Sequence, residues 1–209
     1  MFSSIIIKTF LIIIIGLFLI GMFSPMLVIK KKGNDPHGTH EGASILTRMT
    51  PVTILSWLFY IILYVIYGAP LLHFLAVEIL ISEIFTISGM VVITLGLIID
   101  VWGTVALGTN FRIEFPKEET ILITSGIYRL MRNPIVMGVY LLLFGSFLII
   151  PTIISLIFII TNILTFNSKV LDEEKFLSAQ FGEKYENYRI SVGRYIPFSI
   201  IKKKKIIGL

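Results

Sequence analysis

Residues 134–166 read PIVMGVYLLLFGSFLIIPTIISLIFIITNILTF, an uncharged apolar run from Pro134 to Phe166 with Pro151 near its middle. At 1.5 Å per residue, one straight helix of this length is roughly 50 Å long, against a hydrocarbon core of about 30 Å. Pro151 suits the first turn of a new helix. The stretch therefore predicts a tight hairpin of two membrane-spanning helices.

Three apolar runs precede it. Residues 5–29 are interrupted only by Lys8. They are too long for the apolar part of a signal peptide and no small-residue cleavage site follows, so they read as a retained span. Residues 52–67 form a second span ending near Gly68-Ala69-Pro70, and residues 84–107 a third. Residues 70–83 are apolar but carry His73, Glu78 and Glu83; they either extend the second span or lie along the interface. Apolar residues make up 56% of the 209 and charged residues 15%, too little polar surface for a soluble domain of this size. With no cysteine, disulfides, thiolate nucleophiles and thiolate metal sites are excluded.

The net charge is +5, and its distribution sets the topology. Lys30, Lys31, Lys32 and Arg48 fall between spans one and two. Arg112, Lys117, Arg129 and Arg132 fall between three and four. Lys169 and the run Lys202 to Lys205 follow span five. Five spans put all of these on one face and leave only Lys8 on the other, which the positive-inside rule assigns to a cytosolic C-terminus. The expectation is an all-α integral membrane protein of about five transmembrane helices, with a C-terminal helical hairpin and cytosolic amphipathic helices. Residues 1–110 hold three spans and residues 111–209 the region that carries chemistry, in one domain overall. The short, Lys- and Ile-rich chain without organelle signals fits a bacterial inner membrane. Because the basic residues hug the membrane, nucleic acid is not an expected partner.

Two polar stretches stand out. The first is 122–138, LITSGIYRLMRNPIVMG. Ser125 is placed to cap a short helix reaching about Met131, and Asn133-Pro134 reads as the N-cap and first residue of span four. That puts a helix N-terminus, which attracts anions, at the membrane surface beside Arg132. Capping and a topology-setting arginine explain the same residues without a ligand. The second is 169–188, KVLDEEKFLSAQFGEKYENY, closing with Arg194-Tyr-Ile-Pro197. Phe176, Leu177 and Phe181 form an apolar helical face, Gly182 a break, and Tyr185 and Tyr188 share a side of a second short helix. An amphipathic tail lying on the membrane is the plain alternative.

Taken together, the stretches resemble the isoprenylcysteine carboxyl methyltransferases and the related phospholipid methyltransferases. That pattern is a Gly-x-Tyr-x-x-x-Arg-His-Pro segment opening a helical hairpin, then a Glu-Glu pair, Leu, Phe-Gly, two tyrosines and a terminal Pro. Here it appears as Gly126-Ile-Tyr128, Arg132-Asn-Pro134, Glu173-Glu174, Leu177, Phe181-Gly182, Tyr185, Tyr188 and Pro197. The likeness runs from Leu107 to Pro197, while the earlier spans match only as generic apolar helices. Two positions depart: Asn133 stands for the family histidine, and Val136 for the aromatic usual three residues later.

The resemblance implies methyl transfer from S-adenosylmethionine to a carboxylate or other nucleophile of a hydrophobic or lipidated acceptor entering from the membrane. By the same resemblance Tyr128 and Ile121, Leu122 and Ile123 suit the adenine. Arg132 suits the donor's carboxylate, and Glu173 its ribose hydroxyls or amine. Asn133, Pro134, Ile135 and Val136 would be further donor contacts. An arginine that holds the acceptor carboxylate in the prenylcysteine enzymes corresponds to Lys169, which keeps the charge but loses the bidentate fork. Lys169 and Arg132 are thus the residues nominated for catalysis. No metal site is expected: His37 and His40 in the 35–41 loop lack the usual helical frame. Asp100 lies inside span three, where acids are expensive and often functional. Sterol-reductase-like membrane enzymes that use NADPH carry a related segment, but place a Glu after the Gly that follows it; here Gly138 precedes Val139. A degenerate, non-catalytic membrane protein is the third reading.

Overall fold

A computed structural model describes residues 4–31, 43–68, 82–108 and 121–196. The 35–41 loop with His37 and His40, the stretch with His73 and Glu78, Arg112, Lys117, Pro197 and Lys202 to Lys205 lie outside the described residues.

Among the described residues six helices follow one another: α1 Ser4–Lys31, α2 Ile45–Tyr67, α3 Glu83–Leu107, α4 Pro134–Ile149, α5 Ile153–Phe181 and α6 Glu183–Ser191. A 3-10 turn, Gly126–Arg129, precedes α4. Helices α1, α2, α3 and α5 are each long and apolar enough to cross a membrane, and α4 is a shorter apolar helix of 16 residues. Large apolar side chains cover the outside of the bundle, among them Ile84, Val105 and Leu164. The chain is a multi-pass membrane protein.

The hairpin forms where the sequence places it, with one adjustment. Pro151 stays outside the second helix. Thr152 is the N-cap, and its hydroxyl and that of Ser155 bond reciprocally to each other's backbone N–H. Such a capping box satisfies donors that would otherwise be orphaned in a dry interior. Helix α2 starts at Ile45, seven residues before the expected 52, because Ser44 caps it through the Thr47 N–H. Pro51 is accommodated inside it.

The tightest pair is α3 with α4, and glycine makes it so. Gly89, Gly96 and Gly103 recur every seven residues on α3, opposite Gly145, Gly138 and Pro134 on α4. A Cβ on Gly96 would stand 2.8 Å from the Gly138 carbonyl oxygen, and one on Gly145 would stand 2.7 Å from that of Gly89. Small residues allow such backbone approach between membrane helices, where dispersion replaces the hydrophobic effect. Through this packing α3 lies along the first helix of the hairpin.

Helices α2 and α5 meet through a polar seam. Thr47 Oγ1 and Ser44 N donate to Asp172 Oδ2 at 2.7 and 2.9 Å, and Thr53 meets Thr165 at 3.2 Å. Trp57 Nε1 donates to Ser146 on α4, and the Tyr60 hydroxyl meets Thr152 at 2.6 Å. These contacts place the end of α1, the start of α2, the end of α3, the start of α4 and the end of α5 at one pole of the bundle. Lys30, Lys31, Arg48, Arg129, Arg132 and Lys169 gather there, while Lys8 lies near the start of α1.

Candidate functional site

The polar pole is built by α5 running past its apolar part. Beyond Phe166 the helix continues without a break through Lys169, Asp172, Glu173 and Glu174 to Phe181, then turns at Gly182, φ 51°, into α6. Successive residues on a helix are about 100° apart, so the three acids face three ways. Asp172 is buried against the start of α2. Glu174 is mostly buried, and Glu173 is exposed. Lys169 stands one turn before Glu173 on the same face and within its electrostatic reach.

Glu174 is the anchor of the pole. Arg194 grips it with both branches, Nε to Oε1 at 2.9 Å and Nη2 to Oε2 at 2.7 Å. Arg132 Nη1 lies 3.0 Å from Oε1 and also donates to the Tyr185 hydroxyl at 3.1 Å. The Glu174 carboxylate in turn holds the Arg194 guanidinium above its usual range. Burial and the Glu174 charge push the Tyr185 phenol up to about 12, against the opposing effect of Arg132. Tyr185 therefore keeps its proton near neutral pH.

The tail closes over the segment that enters α4. Arg132 N donates to the Gly193 carbonyl at 2.9 Å and Asn133 N to that of Arg194 at 3.0 Å. Asn133 occupies the N-cap position of α4 but makes no side-chain cap; its Nδ2 points at the Arg194 carbonyl instead, 3.4 Å away. Ser125 likewise makes no side-chain cap, and the helix expected to reach Met131 is the short 3-10 turn. The tail thus takes the two N–H groups that lead into α4.

Tyr128 is buried, its hydroxyl 3.4 Å from the Gly103 carbonyl of α3, and its own carbonyl accepts from Tyr188 at 2.7 Å. Burial first, then the Glu173 carboxylate, Tyr188 and Asp100, push its phenol well above the usual range. Tyr128 thus stands within electrostatic reach of both Glu173 and Asp100. Of the other nominated residues, Leu122 is buried and Ile121 exposed; Ile123 is half-buried. Pro134 and Ile135 pack against Gly103, Ile135 also meets Met26 and Leu107, and Val136 joins the bundle core. These last three serve packing in this arrangement. An open cleft of about 530 Å³ lies under the tail, lined by Arg132, Arg189, Arg194, Gly193, Tyr195 and two isoleucines. Arg132 is the one nominated residue in its lining.

Sequence reasoning missed the structural part of Glu174, Arg194 and Asp172. A signal for Glu174 existed: Phe166, Val170 and Glu174 recur every four residues, and the first two are buried. Arg194 could not be found that way, since its partner is 20 residues away across a turn.

Fold and pole define a class: a multi-pass helical membrane protein with one polar pole, formed by the hairpin and closed by its tail. Residues 84–184 match the phospholipid methyltransferase family. Among curated proteins it is 30% identical over 82 residues to the protein-S-isoprenylcysteine O-methyltransferase of Schizosaccharomyces pombe, covering 39% of this chain and 35% of that protein. It is 31% identical over 115 residues to probable protein-S-isoprenylcysteine O-methyltransferases of Oryza sativa subsp. indica and subsp. japonica, covering 53% of this chain and 60% of each relative. The chain thus spans between about a third and three fifths of the length of these relatives.

Proposed function

We propose that the chain is an S-adenosylmethionine-dependent methyltransferase acting on a hydrophobic or lipidated acceptor at the membrane surface. The observation that carries the reading is Glu173, the one exposed member of three consecutive acids, held one turn above Lys169 and beside Tyr128 within the family-matched region. These groups fit the donor's chemistry. An exposed carboxylate suits ribose hydroxyls or an ammonium, and the apolar face of Ile121, Leu122, Ile123 and Tyr128 suits an adenine. The arginine-lined cleft suits a carboxylate. When bound, the donor supplies an electrophilic methyl group on a sulfonium.

The chain's part is alignment and exclusion of water. Lys169, at the border between the apolar and polar parts of α5, suits an acceptor carboxylate whose tail lies among the helices. A carboxylate has a reference pKa of about 4 and needs no base, so Asn133 in place of a histidine is compatible with turnover. The basic pole faces the cytosol, which puts the C-terminus there, and a bacterial inner membrane suits such a chain.

The test is a labelled-methyl assay on membranes containing the protein, with the labelled product identified, alongside calorimetric titration of the donor. Glu173→Ala is expected to weaken donor binding at least tenfold. Lys169→Ala should leave donor binding within about twofold and lower acceptor turnover. Binding of NADPH without binding of the donor overturns the reading, and methylation of water-soluble acceptors alone overturns the lipid part of it.

A further inference from the structure

Among the described residues, Asp100 is the one acid of the bundle interior for which no hydrogen-bond or ion-pair partner is found. The other two mostly buried acids among the described residues are engaged: Asp172 by Ser44, Thr47 and Lys175, and Glu174 by Arg132 and Arg194. Asp100 is only 4% exposed and makes no hydrogen bond or ion pair with any described residue. It lies within α3, about two turns from Leu107. Opposite it α4 carries Gly138, where a Cβ would stand 2.7 Å from the Asp100 Cβ. The tight glycine pairing therefore fixes where this carboxyl sits. One turn nearer the pole is Gly103, whose carbonyl receives the Tyr128 hydroxyl. Asp100 is thus at the membrane-side floor of the site, beneath Tyr128. A buried acid without a partner is strongly unfavourable, and its natural complement is a cation.

We propose that Asp100 is the counter-charge for a cationic centre of the bound ligand, and we assign that centre to the sulfonium of the methyl donor. The assignment rests on the proposed function, because the donor must be a sulfonium. It has a consequence for turnover: transfer of the methyl group breaks the C–S bond, returns the bonding pair to sulfur and leaves a neutral thioether. Asp100 would then hold the spent donor less tightly than the fresh one. The shared chemistry, a cation at this floor, could also come from an acceptor ammonium, and the experiment separates the two.

Calorimetric titration of the full-length protein in detergent or nanodiscs compares S-adenosylmethionine with its thioether product, S-adenosylhomocysteine, in wild type and in Asp100→Asn. The expected result is that wild type prefers the sulfonium. Asp100→Asn should lose about tenfold in affinity for it and stay within about twofold for the thioether. Equal losses for both ligands mean a merely structural role and overturn the proposal. Unchanged binding of both with reduced turnover assigns the cation to the acceptor and overturns the donor assignment. Should Asp100→Asn not fold, wild type alone decides: thioether binding as tight as sulfonium binding overturns the proposal. Binding of neither ligand by wild type removes the proposed function itself, a failure distinct from loss of charge discrimination.

Discussion

At the scale of single residues, neighbouring side chains of the same type have unlike duties. Asp172, Glu173 and Glu174 are consecutive, yet one anchors α2, one is open and one is clamped between two arginines. Removing one partner of a buried ion pair leaves the other charge uncompensated and typically costs about 3–5 kcal/mol. Arg132 is 9% exposed and depends on Glu174. Glu174→Ala should therefore lower thermal stability markedly and loosen the tail, whereas Glu173→Ala should leave stability nearly unchanged. Thermal unfolding followed by circular dichroism, with limited proteolysis after α6, distinguishes the two. Equal stability losses would show that the clamp does not hold the pole. The Glu-Glu pair was legible in the sequence; which glutamate stays open was not, because that depends on an arginine contributed from beyond the Gly182 turn.

At the scale of elements, the α3–α4 pair rests on absent side chains. Gly96 and Gly145 face backbone at under 3 Å, while Gly16 on α1 would meet nothing within 4 Å. Overpacking of a tight contact costs typically 1–3 kcal/mol, and Gly to Ala at an open helix position is favourable by up to about 1 kcal/mol. Gly96→Ala should lower the melting temperature and Gly16→Ala should leave it unchanged or raise it, as read by thermal unfolding in one detergent. The reverse order would refute backbone contact between the helices. Because the same contact seats Asp100 and brings Pro134 to Gly103, Gly96→Ala is also expected to weaken donor binding. The seven-residue spacing of these glycines is visible in the sequence. That the two stripes face each other is a fact of packing.

At the scale of the molecule, the basic residues gather at the pole that holds the site. The chain has no cysteine, so single cysteines can be introduced without first removing any. Lys184→Cys on α6 and Arg129→Cys at the end of the 3-10 turn, both exposed, should react with a membrane-impermeant maleimide from the same side. Glu83→Cys, at the start of α3, should react from the other. Reaction of Lys184→Cys and Arg129→Cys from opposite sides would leave no common site for Arg132 and Glu173.

The sequence by itself determined the apolar helices, the hairpin broken near Pro151, the break at Gly182 and the charge asymmetry. Each follows from local composition and from the need of a backbone in lipid to bond to itself. It also carried the motif residues, since their order along the chain survives folding. Only the tertiary structure decided that Arg132 and Arg194 close on Glu174, that the tail bonds the entry to α4, and that Asp100 lies buried below Tyr128 with no partner among the described residues. Those outcomes depend on groups far apart in sequence meeting where water is excluded, and there each charge is settled by whichever neighbour the packing supplies.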